Sequence, residues 1–409
     1  MVTYFPFVYF CVLSVILYRK RGLDASVFIS LLYVITSLCS IFMFSMGLVE
    51  SIKSEPSVLA TIVYCVLLTL CIIPIARFKT SEIDLIITKR TERFLERMTL
   101  VFFLVFVLYT ILNIREVIDV LMYGDFAELR TDKVSEDVGH ASGVLGYFNI
   151  VLGLFATISF LMIPVFFICM IYFKKGVFFS LCAICGSLTS LLVQILGVSR
   201  AGIFYYVIIF GLCLILFWKK LRRKTKLTVT ILMSVVFLGM GVYFSRVTID
   251  RFDDNDTFGG SQGGIVAYAG MPYTNFCYFF DNKPYTGIST RFLLPFTNFI
   301  VNGYRGGTQR ETEMTKLTNM NSVVFMTFLG SFIMDCNQLM AFVYVLLFTL
   351  LMHVCIRNKH GTRISFFWLV CLILLMTVPA IGCITYFYTS PFKSLSLILF
   401  LVVVRYFKI

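Results

Sequence analysis

The chain of 409 residues is 59% hydrophobic and only 14% charged, and its mean hydropathy is +0.91. This composition excludes a soluble globular protein. Apolar runs of about 20 residues can cross a bilayer as helices, whereas a transmembrane barrel would show short alternating strands. We therefore predict an all-α polytopic membrane protein. The net charge of +13 is explained first by membrane topology, which places basic residues in cytoplasmic connections, and not by binding to nucleic acid.

About eleven apolar spans are predicted, joined by mostly short connections. One set of connections is strongly basic and holds most of the 35 lysines and arginines. The positive-inside rule makes this set cytoplasmic, so the amino terminus and the other connections face outward. The predicted spans cover approximately residues 2–18, 25–48, 57–76, 98–113, 144–173, 177–197, 202–218, 227–244, 338–356, 365–384 and 391–405.

The longest connection is a polar interval that begins at Phe244 and ends at Asn321. Its basic and acidic residues balance, as suits a segment exported across a membrane. We predict that residues 245–321 form one large outward-facing loop within a single integral membrane domain, residues 1–409. The apolar stretch from Asn321 to Met334 is too short for a comfortable span, so we expect a re-entrant or tilted helix there.

Arginines near the outward surface are candidates for an anion pocket. Arg200 ends the sequence Gly-Val-Ser-Arg at a tight outward turn between two spans. A guanidinium grips phosphate oxygens with two hydrogen bonds, and preorganised cations stabilise a departing pyrophosphate. Snorkelling to lipid headgroups or a salt bridge would also explain any one of them singly. The further candidates in the long loop are Arg246, Arg251, Arg291 and Arg305.

Asp335 follows the short apolar stretch and is the candidate general base. A carboxylate in apolar surroundings is costly and marks a possible functional site. Burial would raise its pKa, which suits a base that accepts a proton from a sugar hydroxyl. An ion pair with one of the arginines explains it equally well. Loop aromatics, among them Tyr273 and Tyr304, form either an interfacial belt or a surface that contacts sugars.

Neither a metal nor an organic cofactor is predicted. The only histidines are His140, His353 and His360, and most of the thirteen cysteines lie inside apolar spans, so no zinc site is indicated. The acidic run from Asp253 to Asp256 fits no calcium-loop spacing and reads better as a polar turn. The chain contains no P-loop, no dinucleotide fingerprint and no Gly-x-Ser-x-Gly elbow.

The chain resembles the O-antigen/capsular polysaccharide repeat-unit polymerases, the Wzy family. The resemblance rests on the number of spans, the large loop after the eighth span, the turn Gly197–Arg200, and the segment Thr327–Asp335 after the loop. It implies a membrane fold similar to the GT-C glycosyltransferases. It also implies a metal-independent, inverting transfer in the bacterial inner membrane, with the active site facing the periplasm. The glycan would pass from undecaprenyl pyrophosphate to another carrier-linked repeat unit of O-antigen, capsule or exopolysaccharide.

This resemblance also implies roles for particular residues and partners. Arg200, Arg291 and Asp335 would be catalytic, although Asp335 precedes Cys336-Asn337 here and not the Gly-containing sequence common in the family. The expected partners are the undecaprenyl-pyrophosphate-linked oligosaccharide, membrane lipids and a chain-length regulator, without nucleic acid. The residues expected to bind pyrophosphate or sugar are Arg246, Arg251, Arg305, Tyr304 and Tyr273.

Other functions predict different distributions of polar residues. A lipid-linked oligosaccharide flippase or other transporter would spread charges through its spans around a central cavity, whereas this chain keeps most charges in its connections. An O-antigen ligase would use a histidine in the external loop, and none lies between residues 244 and 321. A membrane O-acyltransferase would need an intramembrane histidine, for which only His353 is a candidate.

Overall fold

The structure is a computed structural model that describes residues 2–47, 56–122, 144–199, 201–252, 260–282, 316, 326–335, 337–357, 363–388 and 390–407. Helices account for most of these residues. They are α1 (Tyr4–Arg21), α2 (Ala25–Ser45), α3 (Val58–Arg77), α4 (Lys89–Met122), α5 (Val144–Ile158), α6 (Met162–Tyr172), α7 (Gly176–Leu196), α8 (Ala201–Phe217), α9 (Arg223–Phe252), α10 (Gly260–Asn282), α11 (Phe328–Asp335), α12 (Gln338–Arg357), α13 (Phe366–Ile381) and α14 (Pro391–Tyr406).

Short elements complete the description. Strands β1 (Asp84–Leu85) and β2 (Arg363–Ile364) pair in parallel, with Asp84 opposite Arg363 and Leu85 opposite Ile364. Turns of 3-10 helix lie at Thr80–Glu82, Ser159–Leu161 and Trp218–Lys220.

The prediction of an all-α membrane protein agrees with these helices. In the described part of the chain, eight helices are long and apolar enough to cross a membrane. α1 ends in three consecutive basic residues and α13 and α14 have 16 residues each, so the predicted number of about eleven spans stays a prediction. The eight helices cover Ala25–Ser45, Val58–Glu82, Lys89–Met122, Ile150–Tyr172, Gly176–Leu196, Ala201–Lys220, Arg223–Val247 and Gln338–Ile356.

The chain divides into two compact units, and the single integral membrane domain stays a prediction. Each unit is built from segments distant in the sequence, which no local pattern reveals. Unit 1 comprises Met1–Thr80, Phe252–Thr362 and Cys371–Ser394; unit 2 comprises Ser81–Arg251, Arg363–Val370 and Leu395–Ile409.

Hydroxyl side chains of α2 connect helices inside unit 1. Asp24 caps α2 by accepting hydrogen bonds from the backbone N–H groups of Ser26 and Val27. Further along, Ser14 donates to Ser30 across the α1–α2 contact at 2.7 Å, and Tyr33 donates to the Pro379 carbonyl at 2.7 Å. Interhelical hydrogen bonds of this kind contribute about 0.6 kcal/mol each in membrane proteins. They therefore fix the alignment of neighbouring helices as much as they stabilise the fold.

Helix α10 lies inside the interval that the sequence predicts as a loop. Its central residues are buried, among them Phe276 and Cys277. Gly270 meets the backbone of α2 so closely that a Cβ there would lie 2.9 Å from Cys39 and Ser40 backbone atoms. Hydropathy averaging misses this helix because small and polar residues lower its mean. Backbone contact and hydrogen bonds, which averaging does not register, hold it in the core of unit 1.

Four connections of unit 2 meet at one end, which we call the basic end: residues 81–88, 173–175, 218–222 and 363–365. The Asp84 carboxylate forms an ion pair with Lys220 and accepts a hydrogen bond from Tyr172 Oη at 3.0 Å. It also lies 3.9 Å from Arg363 Nε. The hydrogen bond from Lys220 is the largest cause that lowers the pKa of Asp84, and partial desolvation opposes it.

Candidate anion-binding site

The turn between α7 and α8, at the other end of unit 2, precedes Arg200. Two backbone hydrogen bonds close the carboxyl end of α7: Val198 N–H donates to Ile195 at 2.9 Å and Ser199 N–H to Gln194 at 2.8 Å. This pair of bonds defines a Schellman motif. The motif fixes the backbone up to the residue immediately before Arg200.

Val198 occupies the left-handed position of this motif, with φ at 47°. Glycine normally takes that position, because a β-branched side chain there costs about 1–3 kcal/mol. Gly197, with φ at −82°, does not need glycine's freedom. Val198 is fully buried in a cluster with Val120, Tyr243 and Val247, and this packing offsets the strain.

Gly202 allows α8 to begin close to α7. A Cβ at residue 202 would overlap the side chain of Gln194. Within the described residues, the Gln194 amide and the Ser199 hydroxyl form no hydrogen bond. The Gln194 amide and the Ser199 hydroxyl therefore lie beside the turn, and no described residue uses their hydrogen-bonding capacity.

Arg246 lies on α9 next to the same cluster. Its neighbours along the helix, Tyr243 and Val247, are buried against Val120 and Val198, whereas Arg246 is exposed. α9 continues to Phe252 and not to residue 244 as predicted, so Arg246 is held on a helix. The turn before Arg200 and the helical turn that bears Arg246 are thus packed together.

The remaining predicted site residues are less fully described. Arg200, Arg291, Arg305 and Tyr304 lie outside the described residues. Arg251 lies within α9, but its side chain is outside the description. These predictions stay predictions.

Asp335 is the last residue of α11 in unit 1, and its side chain is likewise outside the description. α11 has 8 residues, about 12 Å at 1.5 Å per residue, too short to cross a membrane. Its first N–H donates to the Gly382 carbonyl at 3.1 Å, and Phe332 packs edge-on against Tyr344 and Tyr386. The helix that ends at Asp335 is therefore firmly anchored.

Tyr273 packs inside unit 1. It is 1% exposed, and its hydroxyl lies 2.7 Å from the Thr61 hydroxyl. Its ring is 5.1 Å from that of Tyr64. This placement gives Tyr273 a structural role, while its contact with sugar stays a prediction.

Sequence reasoning did not single out Gln194, Gly202 or the conformation of Val198. The sequence signal that could have indicated this turn is a pair of glycines, Gly197 and Gly202, on either side of it. The amide residue Gln194 lies one helical turn before the first glycine. Within the described residues no three His, Cys, Asp or Glu side chains form a metal-binding group.

Comparison with protein-family models, with curated proteins and with solved structures found no match to the chain. The functional argument therefore depends on the residues and their geometry.

Proposed function

We propose that this protein is a polymerase of lipid-linked oligosaccharide repeat units, acting in the bacterial inner membrane on its periplasmic side. The observation that carries the proposal is the packing of the strained turn before Arg200 against the segment of α9 that bears Arg246. One of these segments ends just before Arg200 and the other bears Arg246, and this pairing suits a diphosphate, because preorganised cations lose less conformational entropy on binding than free ones. The membrane helices suit a substrate whose carrier is a polyprenyl lipid.

In the proposed reaction, an acceptor hydroxyl attacks the anomeric carbon of the donor glycan. The carbon–oxygen bond to undecaprenyl pyrophosphate breaks, its electrons go to the pyrophosphate, and the configuration inverts. Asp335 takes the hydroxyl proton as general base. Arg200 and Arg291 stabilise the growing charge on the leaving group, and Arg246, Arg251 and Arg305 bind it. Tyr304 contacts a sugar, and no metal takes part.

Purified protein in liposomes with a polyprenyl-diphosphate-linked repeat unit tests the proposal. We expect Arg200→Ala, Arg291→Ala and Asp335→Ala each to lower the rate of glycan lengthening by about 100-fold or more. Arg405→Ala is the matched control. Arg405 lies near the end of α14, and its guanidinium packs on the Phe367 ring and not against the α7–α8 turn. It should leave the rate unchanged.

Other outcomes would redirect the proposal. Unchanged polymer length and yield in all three alanine variants, at equal amounts of folded protein, would refute it. Movement of the glycan across the bilayer without lengthening would identify a flippase. Transfer of the glycan to a different lipid acceptor would identify a ligase.

A further inference from the structure

The start of α9 concentrates positive charge where a helix disfavours it. Four cations, Arg222, Arg223, Lys224 and Lys226, lie within five residues, and the first turn holds no acidic residue. The amino-terminal end of a helix is itself partially positive, so cations there are unfavourable and anions favourable. Arg222, Arg223 and Lys224 are exposed.

The protein does not neutralise this charge from its own described residues. The nearby carboxylates of the basic end are engaged elsewhere: Glu82 lies 3.6 Å from Lys219, and Asp84 pairs with Lys220 and Arg363. Within the described residues, no carboxylate forms an ion pair with any of the four cations of α9. Lys226 instead lies over the Trp218 ring, 4.8 Å from its centroid.

Helix α4 provides the contrast, because it also starts at the basic end. Its first residues include Lys89, Arg90 and Arg93, but Glu92 and Glu96 alternate with them. Glu92 lies in the first turn, where a helix favours negative charge. A fourth cation lies among the first nine residues of α4, so its two glutamates offset half of the positive charge at its start, whereas α9 offsets none.

An exposed apolar stripe on α9 begins directly after the cations. Its spacing of three and four residues puts it on one face of the helix. Trp218, 39% exposed, lies beside the start of the stripe, as suits a residue at a membrane interface. The stripe consists of Leu227, Ile231, Val235, Leu238 and Val242, which are 56–74% exposed.

We propose that the start of α9 binds an anionic phospholipid. The phosphate of the headgroup lies against Arg222, Arg223 and Lys224, and an acyl chain lies along the stripe from Leu227 to Val242. A lipid is the occupant because charge and apolar surface are continuous here, and a soluble anion would leave the stripe uncovered. A second copy of the chain in parallel orientation is a poor occupant, because it would place four cations against four and the like charges would repel each other.

Quenching of Trp218 tests this proposal without altering the site. The chain has two tryptophans, so Trp368→Phe leaves Trp218 as the single tryptophan, which can be excited selectively over tyrosine. In liposomes, phosphatidylglycerol with brominated acyl chains should quench Trp218 at a lower mole fraction than brominated phosphatidylcholine does, and salt should reduce the difference. Equal quenching by both lipids would overturn the proposal.

A second measurement uses matched charge-neutralising variants. In neutral detergent, phosphatidylglycerol should raise the unfolding midpoint of the wild type and of K89Q/R90Q/R93Q. The shift should be largely lost in R222Q/R223Q/K224Q, since each cation removed lowers affinity for an anionic membrane roughly fivefold. Equal shifts in both triple variants, or the same shift with soluble glycerol phosphate, would refute the lipid. Neither measurement involves polymerase activity, so this proposal and the proposed function can fail separately.

Discussion

The contact between α2 and α10 in unit 1 and the basic end of unit 2 hold distant segments together by different physical means. At the first, Ser40 Oγ donates to the Gly270 carbonyl at 2.7 Å, and the two backbones touch. At the second, Asp84 joins Lys220, Tyr172 and Arg363 in a network that is partly open to water. One contact depends on shape and the other on charge.

This difference predicts how each contact responds to change. Tightly packed backbones cannot accommodate an added methyl group without moving apart, and no solvent condition restores the fit. Exposed ion pairs contribute about 0–1 kcal/mol and weaken with salt. Mutations at the α2–α10 contact should therefore be severe and insensitive to conditions, whereas those at the basic end should be mild and depend on pH and salt.

The largest effect is expected from Gly270→Ala. The added Cβ would collide with the backbone of Cys39 and Ser40, so α10 must separate from α2 at a cost of about 3 kcal/mol or more. The measurement is the midpoint of thermal unfolding in detergent, together with the yield of monodisperse protein.

Gly239→Ala is the matched control for this prediction. Gly239 lies within α9, and a Cβ there meets no described atom within 4 Å. Alanine should be neutral or stabilise the helix by about 0.5–1 kcal/mol. If both variants unfold at the same temperature, the close contact of α10 with α2 is not what holds α10 in place.

A smaller effect is expected from Gly202→Ala at the α7–α8 turn. The new methyl group would meet the side chain of Gln194, which can move more easily than a backbone, at a cost of about 1–3 kcal/mol. Because the two residues touch, their effects should not add. Gly202→Ala should cost less stability in a Gln194→Ala background than in the wild type, as measured by a double-mutant cycle in thermal unfolding. Equal costs in the two backgrounds would show that Gln194 is not the obstacle.

The sequence was informative where structure is local. Long apolar runs predicted the helices α2, α3, α7, α8 and α12 closely, because length and hydropathy determine a membrane helix. The helical position of Arg246 was missed because the charged end of α9 continues the helix beyond its apolar part.

Features that depend on distant partners were not predictable from the sequence. The burial of α10 depends on Gly270 meeting α2, some 230 residues away in sequence. The left-handed Val198 could not be expected beside Gly197, because only packing against Tyr243 and Val247 makes valine tolerable there. Likewise, Asp84 and Lys220 are 136 residues apart, and neither segment marks the other as its partner.

The smallest effect is expected from Asp84→Asn at the basic end. The variant removes the charge that pairs with Lys220, and since 41% of the Asp84 side chain is exposed, the loss should be about 1 kcal/mol or less at neutral pH.

The lowered pKa means that Asp84 stabilises the fold while it is ionised. Its contribution is complete above the unfolded-state pKa of about 4 and is lost as pH falls through the lower, folded-state pKa. Unfolding midpoints of wild type and Asp84→Asn should therefore differ at pH 7 and converge in acid, and high salt should narrow the difference at pH 7. Glu82→Gln, which weakens the exposed pair with Lys219, should change the midpoint less. A difference between wild type and Asp84→Asn that persists unchanged in acid would mean that Asp84 acts through its shape and not its charge.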